Sequence, residues 1–186
     1  MFNHIRCGLV ATVLAVSALV LAPAQTSFAE SAEGLQRDAA AALASLYQQT
    51  PSSKMLGDKA KGVLVFPNIV KAGFIVGAAY GEGVLYKHGK ISGYYSSVAG
   101  SWGLQAGAQS YGYALFLMTD AAVQYLAKSQ GWELGVGPSI VVLDEGAAKN
   151  LTTTTLKDDV YAFIFDQKGL MAGLGVQGSK VSKISK

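Results

Sequence analysis

The stretch "DVYAFIFDQKGLMAGLGVQG", Asp159 to Gly178, decides how this chain is read. Two apolar runs flank "DQKG", in which Asp166 can start a turn and Gly169 can close it. The spacing predicts a β-hairpin. Gly173, Gly175 and Gly178 also fit G-x-G-x-x-G, a pattern that in many enzymes cradles a dinucleotide pyrophosphate. Here that pattern lacks its setting. It falls on a strand, no helix follows to aim its N-terminus at a phosphate, and no acidic residue follows to hold a ribose. The glycines therefore read as strand glycines, and no nucleotide cofactor is expected.

Working outward, the same texture recurs. "GVLVFP" is an apolar strand stopped by Pro67, and "AGFIVGAAYGEGVLY" sets Phe74, Val76, Ala78 and Tyr80 on one side with small residues on the other. "YKHGK" is a hairpin turn in which Gly89 is free to take positive φ. "ISGYYSSVAGSWGLQAGAQSYGYALFLMT" reads as two strands joined by a turn or bend, and "WELGVGPSIVVL" as a further strand. Two segments have the helical period instead. In "SAEGLQRDAAAALASLYQQT", Leu35, Ala39, Leu43, Leu46 and Tyr47 recur at three- and four-residue steps, and Pro51 marks the end. A short helical turn is expected over Lys54 to Lys61. "DAAVQYLAKSQ" can be capped by Thr119 or Asp120 and ends at Gly131.

These elements predict one α+β domain: a curved, mainly antiparallel sheet, sandwich- or barrel-like, with an N-terminal helix and one inserted helix. Strand glycines such as Gly73, Gly77, Gly81, Gly83, Gly103 and Gly107 leave notches that suit strong curvature, or the close approach of a ligand chain. Composition agrees with a packed domain: 51% of the 186 residues are apolar and 15% are charged.

The first 29 residues are read apart from that domain. Arg6 precedes the apolar run Cys7 to Ala22, and "SFA" before Glu30 has the small-x-small form of a cleavage site. This predicts a secretory signal peptide, a single domain over 30–186, and an exported protein, periplasmic or secreted. The lone cysteine, Cys7, lies in that leader, so no disulfide is expected after cleavage.

Chemistry-bearing residues are few. His88 sits at the expected hairpin turn, and with one histidine and no cysteine in the domain no catalytic triad, thiolate or zinc cluster is expected. Asp144–Glu145 and Asp158–Asp159 are adjacent pairs whose side chains diverge on a strand. They lack calcium-loop spacing. We therefore expect no enzyme activity, metal or cofactor. The formal net charge of +3 is too small to suggest nucleic acid. Its lysines are grouped, however: Lys54, Lys59 and Lys61 in one stretch, Lys71 shortly after, and Lys180, Lys183 and Lys186 at the end. The aromatics Tyr94, Tyr95, Trp102, Tyr111, Tyr113 and Trp132 read as core or sheet-edge packing, or as an interface belt if exposed together.

Several blocks together resemble a known family. "DKAKGVLVFPNIVKAGFIVGAAYGEGVL", "AGSWGLQAGAQSYGYALFLMTDAAVQYL", "GWELGVGPSIVV" and "KGLMAGLGVQGSKVSKI" are similar to the bacterial branch of the SYLF lipid-binding domains, over roughly Leu56 to Ile184. The resemblance implies association with membrane lipid. The family's basic amphipathic N-terminal segment is not matched, since Ser31 to Gln49 carries only Arg37 against Glu33 and Asp38. The "DKAKG" and "KAGF" blocks do match, which makes Lys59, Lys61 and Lys71 lipid-contacting candidates. Charge clustering adds Lys54, Lys180, Lys183 and Lys186. The expected function is non-enzymatic, peripheral binding to anionic phospholipid of the cell envelope. The alternative is an envelope scaffold that binds a protein partner through a sheet edge.

Overall fold

A computed structural model describes residues 31–128, 132–133, 138–143 and 156–186, with backbone alone at 103–105, 132–133 and 171–178. The leader and Asp144–Glu145 lie outside the described residues.

The chain opens with helix α1 (Ala32–Gln49), capped by the Ser31 hydroxyl, which accepts from the Gly34 amide at 3.1 Å. Pro51 ends α1 and also begins α2 (Pro51–Lys59), where a proline at the first helical position loses no hydrogen bond. Buried Ser53 ties the two helices together by donating to the Thr50 carbonyl at 2.6 Å.

Three long strands then carry the fold: β1 (Gly62–Lys87), β2 (Lys90–Leu117) and β5 (Val160–Ile184), paired antiparallel in the order β1–β2–β5. β1 and β2 meet at the expected turn, with His88 and Gly89 at φ 50° and 73°, the left-handed pair a two-residue hairpin needs. Between β2 and β5 comes α3 (Asp120–Lys128), whose cap is Thr119: its hydroxyl accepts from the Ala122 amide at 3.2 Å. The expected strand over 132–143 is instead two pieces. β3 (Trp132–Glu133) pairs antiparallel with the far end of β5, and β4 (Ile140–Leu143) pairs parallel with its start.

The chief departure from expectation is strand number. Where turns were expected, the structure has bulges. Pro67 does not stop β1, because the register slips from Phe66↔Tyr113 to Ile69↔Tyr111 and leaves the proline outside the ladder. Asp166 and Gly169, at φ 51° and 86°, do not close a hairpin. The pairing slips from Gly112↔Phe165 to Ser110↔Lys168, and β5 continues as one strand. Gly173 to Gly178 therefore sits mid-strand, paired with Gln105 to Gly100 of β2.

These bulges bend each long strand. The tightest corner is in β1, which covers Phe74 to Val76 while β2 covers Ala106 to Trp102. Ile75 stands at this corner with φ 63°, a strained setting for a β-branched residue. Beyond it β1 doubles back on its own first half. A Cβ at Gly83 would lie 2.6 Å from the Val65 carbonyl oxygen. The result is the expected α+β fold with a curled, mostly antiparallel sheet, five-stranded among the described residues and shaped as a half-barrel.

Two cores follow from the curl. Inside it, Phe66, Ile69, Tyr95, Ala99, Tyr113 and Val181 pack with Ala122, Val123 and Leu126 of α3. Outside it, Val63, Val65, Phe116, Tyr161 and Phe163 pack against Leu35, Ala39, Leu46 and Leu56 of α1 and α2.

Candidate functional site

The two helices cover the outer sheet face only near the strand ends. Register determines what lies on the remainder. Val70, Phe74, Val76 and Tyr80 of β1 share one face by alternation, and their partners Trp102 and Val98 of β2 share it with them. Across β2, Leu170 and Lys168 of β5 pair with Ala108 and Ser110, which are the partners of Ala72 and Val70. Lys180 pairs with Val98.

This uncovered face is apolar to an unusual degree. Phe74 is 75% exposed, Trp102 71% and Leu170 88%, and Val70, Val76, Tyr80 and Val98 are each about half exposed. Isolated exposed apolar side chains are ordinary, but a contiguous set on one curved face marks a contact surface. The cause is the corner. A Cβ at Gly73 would lie 2.3 Å from the Gly77 Cα and one at Gly81 2.7 Å from the Asn68 carbonyl oxygen, so the inner side has no room for large side chains at these positions and the large ones of the alternation lie outward. A groove of ≈ 530 Å³ between the two halves of β1 opens on this face.

The lysines singled out from sequence are not gathered in one place. Lys54 pairs with Asp58 and lies 5.8 Å from the Tyr47 ring. Lys59 ends α2 and Lys61 immediately precedes β1, so these three belong to the helix-covered base. Lys71 pairs in register with Gln109, on the inner side of the sheet. Lys183 is an odd number of residues from Lys180 and so faces the opposite way, beside Tyr95. Lys180 alone of the seven shares the apolar face with solvent access, and Lys168, which sequence reasoning missed, joins it there.

Lys186 has a different role. Its side chain is 8% exposed and held 2.5 Å from the Glu82 carboxylate, which also accepts from the Tyr80 hydroxyl at 2.8 Å. Burial, then the Glu82 hydrogen bond and charge, push the Tyr80 hydroxyl up to about 12. The last lysine thus ties the chain end to β1. Lys186→Gln is expected to lower unfolding stability by about 1.5 kcal/mol, the scale of a hydrogen bond to a charged group. Urea denaturation would reveal an unchanged midpoint if the pair contributes nothing.

The remaining candidates have structural placements. His88 is exposed in its turn. Asp159 accepts from the Thr119 hydroxyl at 3.0 Å and from the Ser139 amide at 3.3 Å, joining the start of α3 to the approach to β4. Tyr95, Tyr111 and Tyr113 are buried in the inner core, and Tyr94 accepts from Gln36 of α1. Among the described residues no three metal-ligating side chains converge, and no helix is long and apolar enough to cross a membrane.

Residues 98–186 match a family model, Ysc84, described as "Las17-binding protein actin regulator". No curated protein matches the chain. The matched segment holds most of β2, α3, β3, β4 and β5, including Trp102, Leu170, Lys168 and Lys180 of the exposed face. Over residues 98–186 the chain is thus similar to the Ysc84 (SYLF) family.

Proposed function

We propose that this domain is a non-enzymatic lipid-binding module that docks peripherally on anionic membrane, with the uncovered outer sheet face as its contact surface. The observation that carries the reading is the contiguous exposure of Phe74, Val76, Trp102 and Leu170, with Lys168 and Lys180 on the same face. Aromatic and aliphatic side chains enter the headgroup and acyl boundary, and lysines beside them meet anionic headgroups at about 1 kcal/mol each. Similarity to the Ysc84 (SYLF) family over residues 98–186, a family associated with lipid and protein binding, supports this reading. The leader-like sequence of Met1–Ala29 supports reading that membrane as one of the cell envelope.

Flotation of the leader-free protein with vesicles tests this. Vesicles holding anionic phospholipid should carry the protein upward, and neutral vesicles should bind it about thirtyfold more weakly, the share of two lysines. Raising salt to 1 M should narrow that difference. A protein that stays at the bottom with both vesicle types, and instead elutes with one stoichiometric partner from envelope extract, is a scaffold and not a lipid binder.

A further inference from the structure

On the opposite side of the sheet, inside the curl, lies a cavity of ≈ 140 Å³. Its walls are mostly apolar, among them Ile69, Ala99 and Ile164. Three buried hydroxyl side chains also line it, Ser97, Tyr111 and Tyr113, with half-buried Ser179 beside them, and Tyr111 is engaged in an interaction of its own. Ser97 is 6% exposed and Tyr113 is 9% exposed, and the hydroxyls of these two have no hydrogen-bond partner among the described residues. A buried hydroxyl left unbonded is costly, so two on one cavity wall point to a missing partner. No charged side chain lines the cavity. Burial, with a smaller contribution from neighbouring Tyr111, pushes the Tyr113 hydroxyl well above its usual range, so it stays a neutral donor. Val142 of β4 also lines the cavity and is half exposed, so the cavity reaches the surface there.

We propose that this cavity is a binding site for an uncharged, oxygen-bearing apolar molecule, whose oxygen bonds to the Ser97 and Tyr113 hydroxyls while its body fills the apolar wall. The volume suits a body about the size of a benzene ring. Two sources share this chemistry: a compact phenol-like molecule held entirely inside, or the oxygen end of a single-chain alcohol or ester whose tail leaves past Val142. The site lies on the face opposite the membrane-contacting one, so it stands or falls independently of membrane docking.

The probes are p-cresol, 1-octanol and, as a charged control, octanoate, added to the leader-free protein. Binding is read by thermal shift and by NMR perturbation at the methyl groups of Ala79 and Ala99. Saturable perturbation by p-cresol alone identifies a compact ligand, and tighter binding of 1-octanol identifies a chain. Octanoate should bind at least tenfold more weakly than 1-octanol. Ser97→Ala and Tyr113→Phe should each weaken binding about fivefold, the worth of one neutral hydrogen bond. Ala99→Val, which shrinks the cavity, should abolish it. Dispersed NMR spectra of each variant show whether it is folded, and two conservative hydroxyl deletions keep the test sound if Ala99→Val is not. Failure of both uncharged probes to perturb these methyls means the hydroxyls are satisfied by trapped water, and overturns the proposal. Equal binding of octanoate, or undiminished binding in both hydroxyl variants, overturns it too.

Discussion

Gly83→Ala is expected to destabilise the domain by about 3 kcal/mol, toward the upper end of what overpacking costs. At this size that lowers Tm by roughly 6–12 °C. The reason is the doubling back of β1. A Cβ at Gly83 would stand 2.6 Å from the Val65 carbonyl oxygen and 2.6 Å from a Phe66 ring carbon. Neither neighbour is free to give way. Val65 is fixed in the ladder opposite Ala114, and Phe66 is fully buried and stacked on Tyr113 at 6.2 Å between ring centroids. Relief would require the two halves of β1 to separate, which opens the inner core. Gly100→Ala is the matched control, since a Cβ there meets nothing within 4 Å and the backbone is not left-handed. That substitution should leave stability within about 0.5 kcal/mol, or raise it slightly by restricting the unfolded chain. Denaturant melts of both variants decide the matter. If Gly83→Ala unfolds where Gly100→Ala does, the close approach of the two halves of β1 is not a feature of the protein in solution.

That contact also shows where sequence reasoning stops. The α+β class, the helix over Ala32–Gln49, the cap at Thr119 and the turn at His88–Gly89 were all legible, because each rests on local chemistry: periodicity, a hydroxyl, a left-handed pair. Strand number was not legible. Pro67 and "DQKG" are breaker signals, and a breaker fits a bulge as well as a turn. Only the partner strand settles which, and pairing between β2 and β5 spans many intervening residues. The exposed face was half visible. Phe74, Val76 and Tyr80 were seen to alternate with small residues, but alternation does not say which side faces the core. Large side chains usually face inward. At a tight corner the inner side has no volume for them, and the usual assignment reverses. The lysines were the least legible. Counting them along the chain grouped Lys180 with Lys183 and Lys186, whereas the strand parity and the Glu82 pair send these three to different surroundings.

The second large effect follows from that reversal. Phe74→Ser combined with Trp102→Ser is expected to weaken binding to anionic vesicles by at least a hundredfold. Each aromatic side chain offers about 2 kcal/mol on leaving water for the membrane boundary, so losing both removes about 4 kcal/mol, or several hundredfold in affinity. Lys168→Gln with Lys180→Gln should cost about 2 kcal/mol, near thirtyfold, and that share should fade in 1 M salt, where the screening length is about 3 Å. The aromatic share should survive the salt. Lys59→Gln with Lys61→Gln, at the helix-covered base, should change little, although the family resemblance and charge clustering drew attention to that pair first. Neither aromatic is part of the buried core, at 75% and 71% exposure, so unfolding midpoints should stay close to that of the unaltered protein and separate lost contact from lost fold. Wild-type flotation by the aromatic double variant would remove the outer face from the mechanism. A loss seen only in Lys59→Gln/Lys61→Gln would move the contact to the base, where charge alone would have to hold the protein and high salt would release all of it.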